Sequence, residues 1–157
     1  MDAYMMSYTG QAIPVSAYRT YESLFDPGTH LPGWVLLLDR TTVALARAAR
    51  NDKQVMVAVL SNPHDYQGAR ADMKATTTII RAHLRRDDTL ARIDERTLVV
   101  VCNDLQADAD AAKIARRLLS LARVQCDLGI VLSGGHDDPR SLLNLVLRDA
   151  QEQRLAG

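Results

Sequence analysis

Residues 85–101, with the sequence RRDDTLARIDERTLVVV, contain the features that decide the fold of this chain. Two short apolar segments, Leu90 to Ile93 and Leu98 to Cys102, are separated by four polar residues. That spacing predicts two strands joined by a tight turn. Just before them, Gly68 to Leu84 places apolar residues at helical spacing. The stretch therefore predicts a helix followed directly by a β-hairpin.

Similar patterns extend in both directions from this hairpin. The continuous apolar run Val55 to Leu60 is typical of a central strand with both faces buried. Helices are predicted over about residues 33–50, 68–84, 107–122 and from 139 onward, and strands over 55–60, 90–93, 98–102 and 124–132. This order contains a βαββαβ unit. We therefore expect an α/β (α+β) sandwich of ferredoxin-like type, in which helices cover the faces of a mainly antiparallel sheet.

The first 25 residues differ from the rest of the chain. Four of the five tyrosines and three of the five methionines lie there. Aromatic and Met side chains are enriched at surfaces that pack against something. We predict an arm over residues 1–25 and one domain over 26–157. The arm either lies on its own domain, which we favour, or binds a partner.

Composition excludes several classes of protein. The 19 basic and 19 acidic residues give a formal net charge of zero, so no overall field attracts nucleic acid or anionic lipid. Cys102 and Cys126 both lie in apolar runs, which indicates buried thiols and not a disulfide framework or a zinc site. No apolar run is long enough for a membrane span, and no secretory signal opens the chain, so we expect a cytoplasmic protein.

The element order and several short motifs resemble the GGDEF domain of bacterial diguanylate cyclases, over about residues 26–154. The family's opening motif is matched at Asp26, Thr29 and Leu31. The family also has Arg-x-x-Asp, then Ala-Arg and an apolar residue, ahead of its signature turn. The corresponding residues here are Arg85, Asp88, Ala91, Arg92 and Ile93. The resemblance implies the cyclase-palm version of the βαββαβ fold and a role in nucleotide signalling.

The family's signature turn, Gly-Gly-Asp/Glu-Glu-Phe, is not retained. Its five positions fall on Asp94, Glu95, Arg96, Thr97 and Leu98. The resemblance places one metal-binding carboxylate at the end of the first core strand and another in this turn, where the chain has Ser61 and Thr97. A hydroxyl cannot replace an anionic ligand of a hard cation. We therefore expect no metal site, no cofactor and no cyclase activity.

The first two turn positions also argue against substrate binding. Glycine lets the backbone approach a nucleotide closely because it has no Cβ. Asp94 and Glu95 add bulk there, and their charge is expected to repel phosphate. These two residues could instead hold a metal with Asp39 or Asp65, but a solvated turn is the favoured interpretation.

The Arg-x-x-Asp motif, by contrast, survives. In GGDEF domains it forms a product-inhibition site for cyclic di-GMP, so the resemblance implies that Arg85 and Asp88 bind this ligand. A guanidinium can donate two hydrogen bonds to guanine or phosphate, and a carboxylate can accept from guanine N–H groups. A second arginine is expected from the helix after the signature turn, at Arg116 or Arg117. Alternatively, the basic residues only complement the helix dipole and the acidic ones only form a turn.

Two functions follow as hypotheses. The preferred one is a catalytically inactive, GGDEF-like receptor of cyclic di-GMP that signals to an unidentified protein partner. The alternative is a ligand-independent scaffold for protein interaction or homodimerisation. In that case the N-terminal arm and the Asp94 turn would form the docking surface.

Overall fold

A computed structural model describes residues 4–6, 12–14, 25–26, 29–63 and 66–156. The helices are α1 (Trp34–Asn51), α2 (Ala69–His83), α3 (Asp108–Leu121) and α4 (Pro139–Ala156). The strands are β1 (Tyr4–Met6), β2 (Ala12–Pro14), β3 (Gln54–Ser61), β4 (Thr89–Asp94), β5 (Thr97–Leu105) and β6 (Asp127–Ser133). Within these ranges, no helix combines the length and apolar character needed to cross a membrane.

Four of the strands form one antiparallel sheet with the order β4-β5-β3-β6. The chain passes from β3 through α2 to β4, and from β5 through α3 to β6. Each crossover skips one strand, so β5 lies between β3 and β4, and β3 lies between β5 and β6. This is the split βαβ arrangement of the ferredoxin-like fold. The predicted fold class is confirmed.

Strand β3 lies at the centre of the domain, with helices on both sides. Alternate side chains of a strand point to opposite faces, so the two faces belong to two hydrophobic clusters. One cluster joins Val55, Val57 and Val59 to residues of α1 and α4, and the other joins Met56, Ala58 and Leu60 to residues of α2 and α3. Burial on both faces explains why β3 is uniformly apolar, where a half-exposed strand would alternate.

The segment before β6 differs from the prediction. A strand was expected from residue 124, but β6 begins at Asp127. Val124 and Cys126 nevertheless pack against the cluster that contains α2 and α3. The Arg123 backbone N–H donates to Thr76 Oγ1 at 2.9 Å, which fixes this connection to α2. The apolar pattern therefore predicted packing against the core correctly, although both side chains are only partly buried, and it predicted strand structure wrongly.

The described part of the N-terminal segment is a small two-stranded sheet. β1 and β2 pair antiparallel, with Met5 opposite Ile13. The other residues before Phe25 lie outside the described residues. The arm over residues 1–25 and its role stay predictions.

Candidate functional site

The turn between α2 and β4 brings Arg85 and Asp88 together. The Asp88 carboxylate accepts the Arg85 backbone N–H at 3.1 Å and faces Arg85 Nε at 3.5 Å. Its other oxygen accepts the Asn103 backbone N–H at 3.2 Å. The Asp88 side chain is only 5% exposed, whereas that of Arg85 is 53% exposed. Arg85 can therefore reach a ligand from its present position, while Asp88 already has protein partners for both oxygens.

Asn103 on β5 holds this turn in place. Its carbonyl oxygen accepts a hydrogen bond from Arg85 Nη2, and its side-chain Nδ2 donates to the Asp87 carbonyl at 2.5 Å. The Asn103 Oδ1 atom is buried and has no hydrogen-bond partner within the described part of the chain. No sequence pattern points to Asn103, because it lies far from the turn along the chain.

A β-bulge explains how Asn103 reaches the turn. The register of β3 and β5 pairs Met56 with Cys102 but Gln54 with Leu105, so β5 carries one extra residue. Asp104, in the bulge, has a left-handed φ of 59°. Asp and Asn tolerate this conformation better than most residues.

Helix α1 is tied to the same region by an ion-pair group. Arg47 Nη2 lies 2.6 Å from Asp104 Oδ2, and Arg47 Nη1 lies 3.5 Å from Asp87 Oδ2. The three side chains are between 27% and 43% exposed, so solvent weakens their contribution to stability. The charge of Arg47 is nevertheless matched by carboxylates of its own chain.

Two pockets adjoin at the turn, and arginines line both of them. A pocket of about 270 Å³ is lined by four arginines and a single carboxylate, that of Asp88. A second pocket, of about 330 Å³, shares Arg40, Arg86 and Asp88 with it. The four arginines of the first pocket are Arg40, Arg81, Arg85 and Arg86. We call the surface formed by these two pockets the arginine pocket.

Arg116 and Arg117, the other predicted ligand residues, lie on α3 and are exposed. Neither is among the residues that line the arginine pocket. Their assignment as ligand residues stays a prediction, and the structure does not bring them to Arg85 in the way it brings Asp88.

The hairpin between β4 and β5 lies where the resemblance places the family's signature turn. Asp94 pairs with Thr97, which leaves Glu95 and Arg96 as the two turn residues. Asp94 Oδ1 accepts the Arg96 backbone N–H at 2.8 Å. Glu95 lies 2.7 Å from Arg70 on α2, and both side chains are largely exposed. The carboxylate expected to repel phosphate thus has a cation beside it, a contact that the sequence analysis did not predict.

Ser61 and Thr97 are direct cross-strand partners at the end of β3 and the start of β5. Their relative exposures are 0% and 1%. The two hydroxyls that stand where the resemblance expects carboxylates are therefore neighbours inside the protein. Over the described residues, no group of three or more His, Cys, Asp or Glu side chains could hold a metal ion.

A pocket of about 480 Å³ lies beside the hairpin and includes Asp26 and Arg92 in its wall. Arg92 Nη1 lies 3.3 Å from Asp26 Oδ2, and that oxygen also accepts the Thr29 backbone N–H and hydroxyl at 2.9 and 2.7 Å. Both charged side chains are mostly buried. These matched residues therefore connect the opening motif to β4 and have a structural role.

The two cysteines differ in their surroundings. Cys102 is buried, as expected, and burial raises the pKa of its thiol to about 12. Cys126 was also predicted to be a buried thiol but is only partly buried, and this partial burial raises its pKa to about 11. A raised pKa disfavours the thiolate, which is the nucleophilic form of cysteine, at both positions.

Comparison with known proteins gives the fold a family context. No family model and no curated protein matches the chain. Among solved structures, the GGDEF domain of YfiN from Pseudomonas aeruginosa is 23% identical with a TM-score of 0.65, over 82% of this chain and 90% of the other. This chain has the GGDEF-domain fold. At this level of identity, the similarity establishes the fold alone.

Two further solved structures are similar to this chain. The GGDEF domain of DgcB from Caulobacter crescentus, solved in complex with c-di-GMP, is 14% identical with a TM-score of 0.67, over 85% of this chain and 86% of the other. The diguanylate cyclase SiaD from P. aeruginosa, solved with its activator SiaC, is 16% identical with a TM-score of 0.70, over 88% of this chain and 62% of the other.

On this GGDEF fold, the arginine pocket and the hairpin lie at opposite ends of β4. Asp88 directly precedes this strand, and Glu95 directly follows it. The strand has six residues, which at roughly 3.3 Å per residue span about 20 Å. A ligand at one end is therefore not required to contact the other.

Proposed function

We propose that this chain is a catalytically inactive GGDEF-fold domain that binds cyclic di-GMP at the Arg85–Asp88 turn and passes the signal to a partner protein. The observation that carries the proposal is the arginine pocket. One of its two pockets gathers four guanidinium groups around the nearly buried carboxylate of Asp88, on a chain whose formal net charge is zero. Such a pocket suits a ligand with more than one phosphate.

The fold supports the choice of ligand and of partner. DgcB, with the same fold, was solved in complex with c-di-GMP, and SiaD was solved with a protein activator. Arg85 also supports this choice of ligand, because its planar guanidinium can donate paired hydrogen bonds to guanine or phosphate.

The proposed inactivity rests on Ser61 and Thr97. Both side chains are buried, and neither can supply an anionic oxygen to a divalent cation. The turn positions Asp94 and Glu95 add side chains where glycine would leave room for a nucleotide. We infer that recognition is retained without turnover.

Isothermal titration with cyclic di-GMP tests the proposal. We expect saturable binding to the native chain and at least a tenfold loss in Arg85→Ala, since a charge-assisted hydrogen bond contributes about 1.5–3 kcal/mol. Arg70→Ala is the matched control, because Arg70 is an exposed arginine beside the hairpin. Absence of saturable binding to the native chain, or equal affinity in Arg85→Ala, would reject the proposal.

A ligand-independent scaffold is the second candidate. It is favoured by the hydrogen bonds of Asp88, since both carboxylate oxygens have partners within the protein, as a purely structural turn would require. In this version the N-terminal arm and the Asp94 turn dock a partner or a second copy. The test is to delete residues 1–25 and to measure self-association by analytical ultracentrifugation. Unchanged association would count against a docking role of the arm.

A further inference from the structure

Three arginines at the arginine pocket form no ion pair within the described part of the chain. Arg40 lies on α1, Arg81 on α2 and Arg86 in the turn that follows α2. All three are exposed, and none forms an ion pair with any residue that the structure describes. Like charges held close together repel, so a site of this kind is stabilised by an anion that neutralises it.

The neighbouring cations differ from these three. Arg47 already faces Asp104 and Asp87, and Arg85 donates to the Asn103 carbonyl and faces Asp88. Arg40 lines both pockets of the surface, whereas Arg81 lines only the pocket that contains Arg85. Arg40 and Arg81 therefore reach the same pocket from different helices, with guanidinium groups free to pair with an incoming anion.

We propose that Arg40 and Arg81 bind the phosphate groups of the ligand, so that α1 and α2 supply the cations that complete the site. The inference rests on the proposed function and specifies how that site is built. It differs from the expectation drawn from family resemblance, which assigned the additional cation to α3 at Arg116 or Arg117. Two guanidinium groups on separate helices can each hold one phosphate through paired hydrogen bonds.

The structure also explains why phosphate contacts should dominate. The carboxylate of Asp88, which would read the N–H edge of a guanine, is nearly buried and bonded to backbone N–H groups. The free donors of the site are guanidinium groups. A ligand held in this way binds more weakly as salt increases, because its charges are screened.

The test compares three double variants of equal charge change in titrations with cyclic di-GMP at low and high salt. R40Q/R81Q removes the proposed cations, R116Q/R117Q removes the rival pair on α3, and R50Q/R148Q is the control, with two other exposed arginines replaced. We expect R40Q/R81Q to lose at least about tenfold in affinity and to show a weaker dependence on salt. The other two variants should stay within about twofold of the native chain.

Each outcome decides a different question. If R116Q/R117Q loses binding while R40Q/R81Q keeps it, the inference is wrong but the proposed function stands. Equal losses in all three variants would indicate nonspecific attraction and also overturn the inference. If the native chain does not bind at either salt concentration, the proposed function itself fails, and the inference fails with it. Thermal melts of each variant show whether a loss reflects unfolding, and the single variants R40Q and R81Q replace a double variant that does not fold.

Discussion

At the scale of single residues, Asp88 fixes the turn that carries Arg85. Its oxygens fix the Arg85 turn and hold the turn against the β5 bulge. The guanidinium of Arg85 remains half exposed as a result. Asp88 therefore holds the turn, and Arg85 with it, in one position at the surface. Binding of a ligand by Arg85 would then cost less conformational entropy.

Gly135, between β6 and α4, gives a prediction at the same scale. Its φ is +98°, and an added Cβ would lie 2.3 Å from the Leu45 carbonyl oxygen and 2.5 Å from the Ala49 nitrogen. Both are backbone atoms of α1, which cannot move away as a side chain can. We expect Gly135→Ala to lower the free energy of unfolding in urea by about 1–3 kcal/mol through overpacking, with roughly 1–2 kcal/mol more from the left-handed backbone.

Variants of two other glycines separate the effect of overpacking from the effect of the left-handed backbone. Gly68 has a φ of +94° with no atom within 4 Å of the added Cβ, so Gly68→Ala should show only the backbone effect. Gly134 also has open space and no such φ, so Gly134→Ala should be neutral or slightly stabilising. A Gly135→Ala variant no less stable than Gly68→Ala would contradict the close contact with α1.

At the scale of secondary-structure elements, the start of α4 depends on a charged cap. Asp138 directly precedes the helix, and its carboxylate accepts both the backbone N–H and the hydroxyl of Ser141 at 2.9 Å. These hydrogen bonds lower the pKa of Asp138 from its ordinary value. The charged form thus satisfies a helix-terminal N–H group that would otherwise lack an intrahelical partner.

A pH-dependent stability follows for Asp138. Because its pKa is lowered in the folded state, its contribution is complete above the ordinary Asp pKa of about 4 and is lost as the pH falls through the folded value. We expect Asp138→Ala to melt below the native chain at pH 7, with a smaller difference at strongly acidic pH. Asp138→Asn keeps a capping side chain that does not titrate, and so serves as the control. A difference between native and Asp138→Ala melting temperatures that is constant with pH would rule out the charged cap.

At the scale of the whole molecule, the central fact is that the arginine pocket and the hairpin between β4 and β5 lie at opposite ends of β4. One end can therefore change without altering the other, since the strand between them is held in a sheet with a buried core on both faces. Under the proposed function, this separation would let the domain keep ligand recognition without cyclase activity.

Incubation of the whole chain with GTP and Mg²⁺ or Mn²⁺ tests the proposed inactivity. We expect no dinucleotide product by chromatography, because the buried Ser61 and Thr97 hydroxyls offer no anionic ligand for the metal. An active diguanylate cyclase in the same buffer provides the positive control. Detectable product that disappears on chelation of the metal would show that the chain is an enzyme with a rebuilt site.

The sequence was sufficient for the architecture of the domain. Three local patterns predicted the elements and their order. They are the apolar run of β3, the helical spacing of apolar residues in α2 and α3, and the short polar segment at Asp94 that separates two apolar segments. Local patterns can do this because periodicity is a property of neighbouring residues along the chain. Family resemblance added the Arg85–Asp88 motif, and the structure brings those two residues together. Local patterns failed at Val124, where a partly buried apolar residue packs against the core without forming a strand.

Only the tertiary structure decided the composition of the arginine pocket. Arg40, Arg81 and Arg85 meet there because α1 packs on one face of the sheet and α2 on the other, while the bulge at Asp104 carries Asn103 to the turn. Contacts of this kind depend on how separate elements are placed in space, and no spacing along the chain encodes them. The sequence by itself determined which elements form and in what order, and packing determined which charges face one another.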